Sequence, residues 1–167
     1  AVARIATAGA ADGALEGAVQ RAAYAGFDLV LLDPMPAARD PAEDPQAVER
    51  LPAMLAAARR AWRPGGPPAA CVRDRVTARD VVTGIAAQLV RAGATLLWVS
   101  APVRAARDAN ARLAAAPLAD RLRNELGVAT AVVADPATTL PDLDAAIAAG
   151  RADVVVVERI PAGVRAR

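Results

Sequence analysis

Histidine and lysine are both absent from this 167-residue chain, so all 20 of its basic residues are arginine. Without histidine there is no Ser-His-Asp or Cys-His nucleophile system and no imidazole metal site. Without lysine there is no Schiff base and no Walker-type phosphate loop. The missing residue types therefore exclude whole classes of chemistry.

Aromatic residues and cysteine are scarce: the chain has one Tyr, one Phe, two Trp and one Cys. Cys71 cannot form an internal disulfide, and its apolar surroundings predict a small buried side chain in a reducing compartment. The 20 positive and 18 negative residues are interspersed and leave a net charge of only +2. Balanced charge with few aromatic residues argues against a nucleic-acid surface.

Long apolar runs are missing as well. No stretch of 18 apolar residues occurs, and the first residues lack the charged-then-apolar pattern of a signal peptide. The sequence therefore predicts a soluble, cytoplasmic protein without a membrane partner. Because the chain does not begin with Met, we also expect it to be cut from a longer one.

Short β-branched runs alternate with helical patterns along the chain. The predicted strands are 28–33, 69–73, 95–100, 129–134 and 153–158. The predicted helices are 12–26, 44–62, 77–93, 117–127 and 139–149, and residues 101–116 are predicted to form a long loop. The strands are apolar at nearly every position, which is typical of parallel strands buried on both faces.

This alternation predicts the α/β class. We expect a partial (β/α)8 TIM-barrel-like sheet of about five parallel strands, forming a single truncated domain over residues 1–167. A complete barrel of this kind typically takes about 250 residues, so the chain amounts to roughly five-eighths of one.

Polar residues follow each predicted strand, where the carboxyl ends of a parallel sheet form one rim. They are Asp33, Arg73, Ser100, Asp135, Glu158 and Arg159. Four oxygen-bearing side chains and two guanidinium groups could bind an anion or a metal, although none has the spacing of a ligand motif. The alternative is that they form salt bridges and helix caps around the rim.

Several segments resemble the Old Yellow Enzyme family of flavin oxidoreductases. Segments 117–130 (PLADRLRNELGVAT) and 148–159 (AAGRADVVVVER) look like its last two βα units. They are similar, more narrowly, to the reductase-like domain of flavin monooxygenases that hydroxylate salicylyl-CoA and anthraniloyl-CoA. Segments 22–32, 71–73 and 92–100 match earlier strands in order. The resemblance covers about residues 12 to 160 and implies an FMN cofactor, with Arg73 contacting the flavin ring and Arg159 its phosphate.

The chain departs from that family where substrate and cofactor would be held. Asp33 and its neighbours replace a His-containing pair, and Ala134-Asp135 replaces a pair of phosphate-binding glycines. Glu158 places another carboxylate beside Arg159. Because a carboxylate repels phosphate and a side chain blocks close backbone approach, we expect that no catalytic residue remains and that this chain alone does not bind FMN.

Three functional hypotheses follow. The first is a degenerate Old Yellow Enzyme-like domain of an aryl-CoA hydroxylase, with a structural or assembly role. The second is an active FMN- and NAD(P)H-dependent oxidoreductase using Arg73 and Arg159, and the third is a module that binds a small acidic metabolite. Because an open parallel sheet has two exposed edges, we expect another domain or chain that completes the barrel, or a homodimer.

Overall fold

Six strands alternate with five helices in the structure of the chain, which is a computed structural model. It describes residues 2–6, 12–33, 45–62, 68–73, 79–100, 113–134 and 138–157. The elements are β1 (Val2–Ala6), α1 (Asp12–Tyr24), β2 (Leu29–Asp33), α2 (Pro45–Ala61), β3 (Pro68–Arg73), α3 (Arg79–Arg91), β4 (Leu96–Ser100), α4 (Ala116–Leu126), β5 (Ala129–Val133), α5 (Leu140–Ala148) and β6 (Val154–Val156).

The six strands form one parallel sheet in the order β1-β2-β3-β4-β5-β6. Each strand pairs with the next along the chain, so each connection must cross over, and a helix lies in every one of them. Right-handed crossovers that always step the same way put their helices on the same face of the sheet. This arrangement confirms the predicted α/β, TIM-barrel-like fold class. Among the described residues, β1 and β6 do not pair with each other.

The main core lies between the helices and one face of the sheet. The strand residues that it buries are Val30, Leu32, Leu97, Val99 and Val132, and each helix adds at least one buried side chain: Leu15, Leu55, Val82, Leu122 and Ala146. Burying a Val or Leu side chain of this kind stabilises the fold by roughly 1.5–3 kcal/mol. The helix layer is thus fixed to the sheet from α1 through α5.

The opposite face of the sheet, called here the helix-free face, carries a smaller apolar cluster. Leu31 is its buried centre, and Leu29, Leu96 and Trp98 pack against it while remaining partly exposed. These residues alternate with the core residues along β2 and β4, because successive side chains of a strand point to opposite faces. Asp33 is two residues beyond Leu31 and therefore lies on the helix-free face too.

The predicted strands and helices agree with the structure except at the amino end, where β1 was missed. Its sequence, VARIA, has a central arginine flanked by alanine, and no predicted helix precedes it to indicate a βα unit. Pro52 lies inside α2. Most of the expected loop at 101–116 and the side chain of Cys71 lie outside what the structure describes. None of the helices described is long and apolar enough to cross a membrane.

A polar cluster at the amino ends of β5 and β6 joins the last two βα units. The Asp153 carboxylate accepts hydrogen bonds from Arg123 Nε at 3.0 Å and from the Thr130 backbone N–H at 2.9 Å. The Asp153 N–H in turn donates to the Thr130 carbonyl at 2.9 Å. One carboxylate thus connects α4, β5 and the segment that enters β6.

We expect Asp153→Asn to lower the free energy of unfolding by about 1–2 kcal/mol, because both charge-assisted hydrogen bonds are weakened. Urea denaturation followed by circular dichroism measures this. Glu49→Gln, which removes an exposed carboxylate from α2, is the control and should change stability by less than about 0.5 kcal/mol. Equal stability of the two variants would contradict the role given to Asp153.

Removal of the Thr130 hydroxyl should change the free energy of unfolding in the opposite direction. Thr130 is fully buried, and its Oγ1 has no hydrogen-bond partner among the described residues. Valine has the same shape without the hydroxyl, so Thr130→Val should raise the free energy of unfolding by about 1 kcal/mol in the same assay. Thr139→Val provides the contrast: it removes the cap of α5 and should lower stability by about 1 kcal/mol.

Candidate functional site

Three of the six predicted rim residues end neighbouring strands on one edge of the sheet. Asp33, Arg73 and Ser100 are the last residues of β2, β3 and β4. Because these strands are parallel and adjacent, their carboxyl ends meet at the same edge, which is where ligands bind in parallel α/β folds. Arg73 and Ser100 are direct register partners, and Asp33 pairs with Ala6 of β1.

The register places Asp33 deeper in the sheet than the other two residues. Leu32 pairs with Ala70, so Asp33 is level with Cys71, two residues before Arg73. Two residues of a strand span about 7 Å, and two neighbouring strand spacings span about 10 Å. Asp33 thus lies deeper in the sheet, and Ser100 lies at the edge itself. The space between these two strand positions is suited to a small ligand.

Burial distinguishes Asp33 from ordinary surface carboxylates. Only 4% of Asp33 is exposed. It lies beside the apolar Leu31 cluster on the helix-free face. A buried carboxylate is costly unless it is compensated, and Asp33 does take part in a polar interaction. A buried acid beside an apolar surface is more informative about function than any of the exposed acids. We therefore regard Asp33 as the centre of the candidate site.

Trp98 is a residue of this site that the sequence analysis missed. It pairs with Cys71, which is level with Asp33, and it is half-buried on the helix-free face. Ser100 follows Trp98 by two residues in β4 and therefore lies on the same face of the sheet. The alternation of 96, 98 and 100 in β4 was the signal that could have identified it. Together Asp33, Trp98 and Ser100 offer an acid, an apolar wall and a hydroxyl.

The remaining predicted site residues cannot be placed. Asp135, Glu158 and Arg159, and the side chain of Arg73, lie outside the described residues. Within the described ranges, no group of three or more His, Cys, Asp or Glu residues could hold a metal ion. The site as described therefore has one buried acid and no cage of metal ligands.

The amino end of α5 follows the carboxyl end of β5, where the flavin resemblance implies a phosphate site. The Asp142 carboxylate already occupies this end: it accepts the Thr139 N–H at 2.9 Å and the Thr139 hydroxyl at 2.7 Å. This is a reciprocal capping box, which satisfies backbone donors that a phosphate would otherwise use. The carboxylate would also repel the phosphate.

Comparison with known proteins gives matches to solved structures alone. No protein-family model and no curated protein matches the chain. Phosphonopyruvate hydrolase is similar with 16% identity and a TM-score of 0.63, over 94% of this chain and 52% of that one. Phosphoenolpyruvate phosphomutase from Streptomyces platensis subsp. rosaceus is similar with 19% identity and a TM-score of 0.62, over 94% and 54%. 2,3-Dimethylmalate lyase, a PEP mutase/isocitrate lyase superfamily member, is similar with 20% identity and a TM-score of 0.58, over 97% and 59%.

These matches correct the flavin resemblance. The matched enzymes are a hydrolase, a mutase and a lyase rather than flavin oxidoreductases, and one structure of the hydrolase contains oxalate and Mg²⁺. The FMN cofactor that the resemblance implied was therefore wrong, whereas Arg73 and Arg159 as site residues are not tested by these matches. The degenerate hydroxylase domain, the active oxidoreductase and the metabolite-binding module were wrong with it. The physical reason is that strand and helix patterns of βα units are shared by enzymes of unrelated chemistry.

Sequence identities of 16–20% show a common fold, and the chain spans about half the length of the solved structures it matches. The six strands thus correspond to part of a TIM-barrel-like fold, with its carboxyl edge at Asp33, Arg73 and Ser100.

Proposed function

We propose that this chain forms part of a barrel enzyme that makes or breaks a bond near the carboxylate of a small organic acid, as a lyase or mutase does. The observation that carries the proposal is the buried Asp33 on the helix-free face, at the carboxyl edge of a parallel sheet. The matched enzymes support this class, since by their names they act on phosphonopyruvate, phosphoenolpyruvate and dimethylmalate. All three are small acids that carry an oxygen atom on the carbon beside a carboxylate.

Asp33 fits the role of a ligand for Mg²⁺. Mg²⁺ prefers oxygen ligands, and it is often held by one or two carboxylates while water and substrate fill its other positions. A single buried carboxylate is what the described residues provide, and they contain no larger ligand group. When bound, the cation supplies positive charge opposite an anionic substrate.

The other residues of the site would bind and shield the substrate. The Ser100 hydroxyl at the rim can donate a hydrogen bond to a substrate carboxylate. Trp98 and Leu96 provide an apolar wall beside Asp33, which keeps water away and so strengthens the electrostatic interactions within the site.

We also propose that the chain acts as one domain, completed by another domain or chain or by a second copy. The sheet has two ends among the described residues, and the chain covers only 52–59% of the enzymes it matches. An unpaired strand edge exposes backbone groups that partners commonly cover.

The catalytic proposal is tested by Asp33→Asn, which keeps the size of the side chain and removes its charge. We expect wild-type protein to bind oxalate in the presence of Mg²⁺ and not in its absence, as measured by isothermal titration calorimetry. In the variant the affinity should fall at least tenfold, which corresponds to about 1.4 kcal/mol. Release of a 2-oxo acid from a panel of 2-hydroxy and phosphono acids should be lost as well.

Glu125→Gln is the control, because it removes an exposed carboxylate at the end of α4, next to the amino end of β5 and so at the opposite edge of the sheet. It should bind oxalate as the wild type does. Circular dichroism establishes that both variants are folded. Oxalate binding by Asp33→Asn at wild-type affinity, or binding by the wild type that ignores Mg²⁺, would overturn the role of Asp33.

A further inference from the structure

The outer surface of α5 is apolar at its centre and exposed. Ile147 has an exposed fraction of 43%, and Ala148 beside it is exposed as well. Among the described residues only three large apolar side chains are exposed, and two of them, Ile147 and Val154, belong to the last βα unit. Ile147 is not isolated, because Ala145 and Ala149 are exposed on the same helix end too, and a contiguous apolar patch rimmed by polar residues is a feature of interaction sites.

Two opposite charges flank Ile147 and Ala148. Asp144 is three residues before Ile147, and Arg151 is three residues after Ala148. The Gly150 N–H donates to the Ile147 carbonyl and the Arg151 N–H to the Ala146 carbonyl, so the chain folds back and keeps Arg151 beside the last turn. Both charged side chains are exposed, and neither takes part in an ion pair within the described part of the chain.

We infer that this surface, formed by Asp144, Ile147, Ala148 and Arg151, is a two-fold interface with a second copy of the chain, in which the α5 helices pack antiparallel. A two-fold interface requires a surface complementary to itself. Antiparallel packing centred between Ile147 and Ala148 brings Ile147 onto the partner's Ala148. It also places Asp144 opposite the partner's Arg151, twice in each dimer.

The charges of the helices themselves favour the same orientation. The amino end of a helix carries partial positive charge and the carboxyl end partial negative charge, so antiparallel neighbours attract. Parallel packing would instead place Asp144 beside the partner's Asp144. The interface is small and its ion pairs are exposed, so the dimer should be weak and should dissociate further as salt is raised. The inference goes beyond the catalytic proposal and does not depend on it.

Charge reversal provides the test, with dissociation constants measured by sedimentation equilibrium of the whole chain. Asp144→Arg places Arg opposite the partner's Arg151, and Arg151→Asp places Asp opposite the partner's Asp144. Each variant alone should dimerise at least tenfold more weakly than the wild type. An equimolar mixture of the two should recover the wild-type association, because both contacts of the mixed dimer are then Arg with Asp. The double variant Asp144→Arg/Arg151→Asp should also recover it.

Glu49→Arg and Arg50→Asp are matched controls, since they make the same charge changes at exposed positions of α2. They should dimerise like the wild type, and their mixture should show no gain. Circular dichroism verifies that every variant is folded. The inference is overturned if the wild type is monomeric at all concentrations, if the single reversals leave association unchanged, or if the mixture associates no better than either variant alone.

Discussion

The pairing of each strand with its successor is the constraint on which the rest of this structure depends. A parallel pair cannot be joined by a tight turn, so every strand is followed by a crossover, and repeated steps in one direction put all five helices on one face. The other face receives no helix. The same constraint aligns the carboxyl ends of the strands, and thereby brings together Asp33, Arg73 and Ser100 from positions about thirty to seventy residues apart in the chain.

The helix-free face shows how a chain without histidine or lysine can still present reactive groups. Its centre, Leu31, is apolar and buried, and next to it lies an acid with an exposed fraction of only 4%. Removing a carboxylate from water in this way strengthens its interaction with any cation or hydrogen-bond donor that reaches it. With imidazole and ammonium groups missing from the sequence, a buried acid and an external cation are a combination that this composition permits.

The flavin resemblance was wrong because it rested on features that the pairing of successive parallel strands requires in any βα fold. The segments that carried it, such as 117–130 and 148–159, are dominated by a helix, its terminal glycine and an apolar strand. The packing of βα units requires these features in enzymes of any chemistry, so they do not identify a reaction. The positions that would have identified a cofactor were the ones that departed from the family. At α5, Asp142 caps the helix end that a flavin phosphate would have needed.

The sequence by itself determined the alternation of strands and helices, because apolar periodicity, helix-terminal glycines and proline positions act over a few residues. It predicted five helices and five of the six strands, and it correctly placed Asp33, Arg73 and Ser100 at strand ends. Tertiary structure alone decided the depth of Asp33, the presence of Trp98 at its level, and the hydrogen bonds that Asp153 makes across two βα units. These depend on register between strands and on contacts between residues distant in sequence, where no local pattern carries the information.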